Sequence, residues 1–242
     1  MKIVYNAIDP EAYEMRHRKS YSEAYMYSHW KPIISKLILL ACRILHKYGT
    51  EVEALDIGCG TGVYTELISK CTQKAIGLDI SKNMLEYARK KRKGLNLIHG
   101  DAHLLPFRNE SFHLVISIGL MEYVQKDIVL KEIARTMKKG GLLIIVAPNK
   151  YSAYRLPIKI IAKIFRREYV AREPSFGEMI YLFHQLGFKL VWYKMDNGLV
   201  FIPSFLDRTI GMNIYYLVEG VLKLTLRRNP FSNVMLFLLQ KK

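Results

Sequence analysis

The chain has 242 residues, half of them hydrophobic, which is enough to bury the core of one domain. Its formal net charge of +16 favours anionic partners such as nucleic acid, an anionic lipid surface or an anionic substrate. Three cysteines without metal-ligand spacing argue against disulfides and a zinc site, and fit a reducing cytoplasm. No apolar stretch is long enough for a signal peptide or a membrane span. We therefore expect one domain over residues 1–242, cytoplasmic or peripheral at a membrane.

A polar, aromatic-rich helix is predicted to begin at Asp9-Pro10 and to reach Ser28. Aspartate is a favoured helix cap, and proline fits the first helical position. Tyr13, His17 and Tyr21 follow one another at intervals of four residues and therefore share one face. That face either packs on the domain or forms part of a helical lid, over residues 1–48, that covers a ligand cleft.

Residues 32–48 are predicted to form a second helix, and from residue 49 strands alternate with helices. The second helix has an apolar stripe that should face the core, made of Ile33, Leu37, Leu40 and Ile44. The predicted strands are Val52–Ile57, Lys74–Asp79, Leu95–His99, Phe112–Ile118, Leu142–Ala147, Phe188–Lys194 and Val234–Leu239. The predicted helices between them are Val63–Lys70, Ser81–Lys93, Asp127–Lys138 and Phe176–Leu186. Such alternation is typical of an α/β fold with a parallel sheet, which binds ligands at the carboxyl ends of its strands.

A glycine loop from Asp56 to Gly62 follows the first predicted strand and precedes a helix. Its three glycines at alternate positions allow the backbone to turn sharply and to lie against a ligand. A dinucleotide-binding loop would require glycine at position 63, where valine stands, and no Gly-Lys-Ser/Thr sequence follows. Pyrophosphate is therefore not the expected ligand.

Two aspartates lie at the carboxyl ends of the next two predicted strands. Asp79 lies 23 residues after Asp56, where a carboxylate can accept hydrogen bonds from both ribose hydroxyls of a nucleoside. Asp101 is placed to accept from the exocyclic amino group of an adenine. Each acid taken singly is equally explained as a helix cap or turn residue. Their succession at neighbouring strand ends favours a nucleoside site.

Together these motifs resemble the class I S-adenosylmethionine-dependent methyltransferases, in particular their small-molecule branch. The matching segments are Leu55–Gly62, Gly77–Ser81 with Met84-Leu85, Gly100–Ala102 with Leu105–Phe107, Phe112–Val124 and Gly140–Leu142. The resemblance implies an enzyme with a Rossmann-like three-layer sandwich, whose seven-stranded sheet is mostly parallel with an antiparallel last strand. It implies S-adenosyl-L-methionine as the methyl donor, S-adenosyl-L-homocysteine as the product, and no metal.

The resemblance also implies which residues hold the cofactor, all of them near carboxyl ends of strands. The methionine part is assigned to Asp56 and the backbone of Gly58, Cys59, Gly60 and Gly62, and the ribose to Asp79. The adenine is assigned to Ile80, Met84, Asp101 and Ala102, and the reacting end of the cofactor to Ser117.

The catalytic residue stays unknown from the sequence. Tyr123 stands where the family often has histidine, and His113 where it often has aspartate. A base is required only if the acceptor must lose a proton. The side chains expected to face the cleft are Tyr13, His17, Tyr21, His29, Glu122 and Tyr123, although a packing or surface role is the commoner use of each.

Two insertions follow the predicted core of residues 49–148, the second one just before the last strand, and both are expected to form the substrate and cap region. Residues 149–175 are basic and amphipathic, whereas residues 200–230 are apolar with scattered charges. Ser117–Leu120 lacks the Asn/Asp-Pro-Pro-aromatic element of nucleobase amino-methyltransferases. We therefore expect a small-molecule acceptor that is amphiphilic or lipid-like. The alternatives are an RNA methyltransferase that uses the basic surface and a non-catalytic S-adenosylmethionine-binding protein; the oligomeric state is open.

Overall fold

A computed structural model describes residues 9–15, 21–47, 51–152, 155–166, 171–196 and 232–242. Its helices are α1 (Pro10–Glu14), α2 (Tyr21–His46), α3 (Val63–Ser69), α4 (Lys82–Lys91), α5 (Lys126–Thr136), α6 (Arg155–Ile164) and α7 (Phe176–Gln185). Its strands are β1 (Glu53–Ile57), β2 (Lys74–Asp79), β3 (Asn96–His99), β4 (Phe112–Ile118), β5 (Met137–Pro148), β6 (Phe188–Asp196) and β7 (Val234–Lys241). The predicted insertion over residues 200–230 and the predicted cleft residue His17 lie outside the described residues.

The seven strands form one sheet in the order β3-β2-β1-β4-β5-β7-β6. Strands β1 to β5 pair in parallel, and β7 runs antiparallel to both β5 and β6. This confirms the predicted α/β architecture with its antiparallel last strand. Strand order reverses between β1 and β4, so the expected ligand crevice lies at the carboxyl ends of these two strands.

Helices cover both faces of the sheet, as alternating side chains of β4 show. Leu114 and Ile116 belong to a buried cluster that includes Ile34 and Ile38 of α2. Val115 points to the opposite face and joins a second cluster that includes Phe183 of α7. Burial on both faces explains why the central strands are continuous apolar runs.

The N-terminal helices differ from the prediction in length and register. Asp9 does cap α1, because its carboxylate accepts from the backbone of Glu11 and Ala12, but α1 ends at Glu14 and not at Ser28. The predicted start of the second helix at Pro32 is wrong, since α2 runs continuously through that proline. A proline inside a helix costs about 3 kcal/mol. We expect the packing of the long apolar face of α2 on the sheet to offset this cost.

The buried stripe of α2 is shifted by one position from the predicted one. Ile34, Ile38 and Ala41 are buried, whereas Leu40 is 49% exposed. Leu37 is buried as predicted, and Ile33 and Ile44 pack at the margin of the cluster. In a run as rich in isoleucine and leucine as this one, several stripes have similar hydrophobicity, and the shape of the sheet selects among them.

The boundary between α5 and β5 is also different from the predicted one. The helix ends at Thr136 instead of Lys138, and the strand continues through both glycines instead of beginning at Leu142. A β-carbon on Gly141 would lie 2.9 Å from the carbonyl oxygen of Lys138 and 3.0 Å from that of His113. The glycine therefore permits a close backbone approach at the irregularity where the β4–β5 register shifts, and does not end a helix.

Candidate functional site

The glycine loop begins where β1 ends and is bound to the neighbouring strand. The backbone N–H groups of Gly58 and Cys59 both donate to the carbonyl oxygen of Leu78, at 2.8 and 3.1 Å. Gly58 has a φ of +73°, and a β-carbon there would lie 3.1 Å from the Cδ1 atom of Leu120. Glycine is therefore required at this position both for its backbone conformation and for the close approach of the segment after β4.

Asp79 connects this loop to the start of α4. Its Oδ2 atom accepts from the backbone N–H of Gly60 at 2.7 Å, and its Oδ1 atom accepts from that of Ser81 at 2.8 Å. Burial raises the pKa of the Asp79 carboxyl, while these backbone hydrogen bonds act in the opposite direction. The carboxylate is thus held rigidly at the carboxyl end of β2, beside the glycine loop.

Asp56 lies beneath the loop rather than at its surface. It is almost fully buried, and its Oδ2 atom accepts from the hydroxyl of Thr65 at 2.6 Å. Burial raises the pKa of Asp56 to about 7, although the Thr65 hydrogen bond lowers it. Gly77 leaves room for this arrangement, since a β-carbon there would lie 2.9 Å from the Thr65 hydroxyl oxygen. No motif in the sequence marks Thr65, which connects α3 to the base of the loop.

Arg92 is a second residue beside the glycine loop that no sequence motif marks. Its guanidinium donates to the Thr61 carbonyl oxygen at 2.8 Å and to both carboxylate oxygens of Glu14, at 2.8 and 3.2 Å. It also donates to Glu66 at 3.2 Å. Burial acts to raise the pKa of Glu14, but hydrogen bonds from Arg92 and Lys91 hold it below its usual value. These contacts bind α1 to the flank of the glycine loop.

Asp101 is held by a third residue that no sequence motif marks, His103. The Oδ1 atom of Asp101 accepts from the His103 backbone at 2.9 Å and lies 2.6 Å from its Nδ1 atom. The Nε2 atom of His103 accepts from the backbone N–H of Gln125 at 3.1 Å, so a neutral ring carries its hydrogen on Nδ1. The loop after β3 is thereby connected to the start of α5, and the adjacent Ala102 is buried.

The segment after β4 brings two buried polar side chains to the same edge of the sheet. Within the described ranges, the Ser117 hydroxyl and the Oε2 atom of Glu122 have no hydrogen-bond partner. A β-carbon on Gly119 would lie 3.9 Å from the Oε1 atom of Glu122. Burial raises the pKa of Glu122 to about 7, with Arg155 acting to lower it.

Comparison with known proteins identifies the family. A family model described as a methyltransferase domain matches residues 55–145. The chain is 30% identical over 172 residues to a demethylmenaquinone methyltransferase of Staphylococcus haemolyticus, covering 60% of this chain and 72% of that protein. It is 34% identical over 171 residues to the Bacillus licheniformis protein of the same name, with 60% and 74% coverage. The chain belongs to the class I S-adenosylmethionine-dependent methyltransferases.

The fold of a solved methyltransferase agrees with this assignment. A crystal structure of an S-adenosylmethionine-dependent methyltransferase from Thermotoga maritima superposes with a TM-score of 0.58 at 23% identity. The alignment covers 96% of this chain and 94% of that one. At this level of identity the likeness concerns the fold alone.

The methyltransferase has a site that fits the cofactor its family uses. A β-carbon built on Gly60 would meet open space, so the loop presents bare backbone at the carboxyl end of β1. Asp79 lies at the adjacent strand end, and Ile80 beside it is half-buried. Met84 and Ser117 are buried. These features fit a nucleoside with an aminoacyl chain better than a pyrophosphate.

The predicted catalytic candidates of the methyltransferase lie in several places. Tyr13 is on α1 and partly exposed, and Tyr123 is half-buried after β4. His29 packs edge-to-face on Trp30, with 5.3 Å between ring centroids. Tyr21 is the first residue of α2. Among the described side chains of this group, Glu122 combines burial with a position at the carboxyl end of β4.

Described residues of the basic segment 149–175 pack beside the carboxyl edge of the sheet. The backbone N–H of Arg172 donates to the Glu122 carbonyl oxygen at 2.6 Å. The buried Glu173 carboxylate lies 2.8 Å from Lys159 and 3.4 Å from Arg155, both on α6. The Ser152 hydroxyl donates to Asn233, next to β7, at 3.0 Å. Part of the positive charge of this segment is therefore used inside the fold.

Proposed function

We propose that this methyltransferase transfers a methyl group to a small, lipid-like ring acceptor at the carboxyl edge of its sheet. The observation that carries the proposal is the similarity to proteins named demethylmenaquinone methyltransferase, at 30% and 34% identity over most of their length. Demethylmenaquinone is a naphthoquinone with an isoprenoid tail, and its methylation replaces a ring hydrogen. An amphiphilic acceptor of this kind agrees with the apolar and basic character of residues 149–175.

We further propose the roles of the residues that hold S-adenosylmethionine. Asp79 accepts from the ribose hydroxyls, and the Gly58–Gly62 backbone lies against the methionine part, with Asp56 supporting the loop through Thr65. Ile80, Met84, Asp101 and Ala102 surround the adenine, and Ser117 lies near the reacting end. When bound, the cofactor supplies an electrophilic methyl group on a sulfonium centre. The protein mainly aligns acceptor and methyl group and excludes water.

The experiment that tests the proposed acceptor is transfer of labelled methyl groups from S-adenosylmethionine. Chemically reduced demethylmenaquinone in detergent micelles is compared with total RNA and with a water-soluble metabolite pool. We expect label in the quinol fraction. Label in RNA, with binding that weakens steeply as salt increases, would instead support the RNA methyltransferase alternative. Cofactor binding by calorimetry without transfer to any pool would support a non-catalytic binding protein.

We also propose that the outward face of α6 contacts an anionic membrane, from which a lipid-like acceptor is taken. Ile164 and Phe165 are 68% and 67% exposed, and Ile160 is exposed beside them. Lys163 and Arg166 are exposed among these apolar side chains. Apolar side chains flanked by cations are typical of helices that lie in the interface of an anionic bilayer. No helix within the described ranges is long and apolar enough to cross a membrane.

A further inference from the structure

We propose that the Glu122 carboxylate accepts the proton that a hydroxyl-bearing ring acceptor loses during methyl transfer. This inference rests on the proposed function, because only an acceptor with an ionisable hydroxyl requires such a base. It assigns a catalytic role to a residue on the segment between β4 and α5.

Glu122 lies on the short segment after β4, which also contacts the glycine loop. Its Oε1 atom lies 3.9 Å from where a β-carbon of Gly119 would stand, directly beyond the end of β4. The next residue, Leu120, packs against Gly58 of the glycine loop, at 3.1 Å from a β-carbon built there. The short segment after β4 therefore contacts the glycine loop through Leu120 and carries Glu122 two residues further on.

The surroundings of Glu122 do not explain it as a structural residue. Only 5% of its surface is exposed, and its Oε2 atom has no hydrogen-bond partner in the part of the chain that the structure describes. A buried carboxylate oxygen without a hydrogen bond destabilises the fold, because nothing compensates for the loss of its hydration. Glu173, by contrast, is equally buried but lies within 2.8 Å of Lys159. A ligand hydroxyl is a suitable partner for the unpaired lone pairs of the buried Oε2 atom.

The charges that face Glu122 come from three different segments. Arg155 on α6 and Lys126 at the start of α5 favour the ionised form, whereas Glu173 disfavours it. Burial outweighs both cations and raises the pKa of Glu122 to about 7. A carboxyl with this pKa is ionised in about half of the molecules at neutral pH, and it is a stronger base than an exposed glutamate.

The proton balance of the step is complete. The carboxylate takes the hydroxyl proton of the reduced ring, which makes the adjacent ring carbon nucleophilic. A bond forms between that carbon and the methyl carbon, and the methyl carbon–sulfur bond breaks with its electron pair remaining on sulfur. The ring carbon then loses its hydrogen as a proton while the ring oxygen regains one. One proton leaves per methyl group transferred.

The test compares wild type with Glu122→Gln, which keeps the shape and removes the basic carboxylate. The matched control is Glu51→Gln, an exposed glutamate before β1, at the opposite edge of the sheet. Methyl transfer to reduced demethylmenaquinone is measured in single turnovers from pH 5.5 to 8.5. We expect Glu122→Gln to be about 100-fold slower or worse and to lose the rise in rate near pH 7. Calorimetry with S-adenosylhomocysteine should give the same affinity for all three proteins.

A second readout does not depend on turnover and separates the two proposals. Binding of 1-naphthol to the S-adenosylhomocysteine complex is measured by fluorescence, and we expect it to be about tenfold weaker in Glu122→Gln than in wild type. If wild type fails to methylate the quinol but the naphthol difference is found, the proposed acceptor is wrong and the role of Glu122 stands. The Glu122 proposal is overturned if naphthol binds equally to both proteins or does not bind at all. It is also overturned if the Glu122→Gln rate is within threefold of the wild-type rate and has the same pH profile.

Discussion

Two carboxylates near the carboxyl edge of the sheet, those of Asp79 and Glu122, differ in the hydrogen bonds that their oxygens accept. Asp79 accepts from the backbone of Gly60 and Ser81, so its geometry is set before any ligand arrives. The Oε2 atom of Glu122 accepts no hydrogen bond from the described residues. The first arrangement suits a binding residue that must not move, and the second suits a residue whose partner is a substrate.

Asp79→Ala is expected to weaken S-adenosylmethionine binding. The variant removes a charged acceptor for ribose hydroxyls and releases the N–H of Gly60, and hydrogen bonds to charged groups contribute about 1.5–3 kcal/mol each. We expect an affinity loss of about 10- to 100-fold or more by calorimetry, with S-adenosylhomocysteine affected equally. Asp127→Ala, an exposed position in α5, is the control. Unchanged binding by Asp79→Ala would contradict the cofactor assignment.

The buried carboxyls also predict how stability depends on pH. The pKa of Glu122 is raised from 4.5 to about 7, and that of Asp56 from 3.8 to about 7, so at intermediate pH the folded state holds protons that the unfolded state releases. Stability contributed by these groups is therefore present at low pH and is lost as pH rises from about 4 to 7. For Glu122 this amounts to about 3 kcal/mol.

We expect the free energy of unfolding in urea to fall between pH 5 and pH 8, and to fall less in Glu122→Gln. The fall contributed by Asp56 remains in the variant, so the slope is reduced and not abolished. Glu51→Gln should retain the wild-type slope. A Glu122→Gln slope identical to that of wild type would show that this carboxyl is already ionised in the folded protein at pH 5.

At the level of elements, a short helix and the glycine loop are connected through one side chain. Arg92, just after α4, contacts Glu14 of α1, Glu66 of α3 and the carbonyl oxygen of Thr61. The side chains of Arg92 and Glu14 are only 10% and 13% exposed, so this ion pair is screened little by solvent. We propose that this contact holds α1 beside the glycine loop at the cofactor site.

Arg92→Gln is expected to weaken both folding and cofactor binding. Removing one partner of a largely buried ion pair costs about 3 kcal/mol of stability, and loss of the bond to Thr61 should lower S-adenosylmethionine affinity about tenfold. The matched control is Lys91→Gln, because Lys91 also lies 3.0 Å from Glu14 but is 42% exposed. Its effect in urea denaturation should be much smaller than that of Arg92→Gln, because solvent screens an exposed ion pair. Equal effects of the two variants would show that the burial of Arg92 has no energetic consequence.

At the level of the whole molecule, some of the described cations are paired with carboxylates and others are exposed to solvent. Cations such as Arg92 and Lys159 are engaged with buried carboxylates, whereas Lys163 and Arg166 lie exposed beside apolar side chains. Among the described residues, the positive charge is therefore exposed on particular faces of the protein and compensated on others. The outward face of α6 combines such cations with exposed apolar groups, which distinguishes membrane contact from general attraction to polyanions.

Co-sedimentation with liposomes tests this surface. We expect binding to phosphatidylglycerol-containing vesicles that weakens as salt increases, and much weaker binding to phosphatidylcholine alone. Ile164→Asp should reduce vesicle binding about tenfold or more, because it places a charge in the apolar face. Tyr181→Asp changes an equally exposed aromatic on α7 and should have little effect. Binding that is insensitive to salt and to Ile164→Asp would argue against α6 as the membrane contact.

The sequence by itself determined the cofactor class and most of the sheet. Glycines at alternate positions, valine at position 63 and aspartate at the end of β2 are local patterns, because they specify backbone torsions and strand ends within a few residues. Alternating apolar segments likewise predicted the strands, since burial on both faces requires continuous hydrophobic runs.

Only the tertiary structure decided which distant groups meet at the site. Arg92 and Glu14 are separated by 78 positions, and in a chain with 37 lysines and arginines no local pattern selects that pair. No local pattern predicts that Pro32 remains inside α2. Nor does one predict that Glu122 is buried without a partner for its Oε2 atom among the described residues. Both depend on how helices and the segment over residues 149–175 pack on the sheet, and packing energy is a property of contacts between elements rather than of any one stretch of sequence.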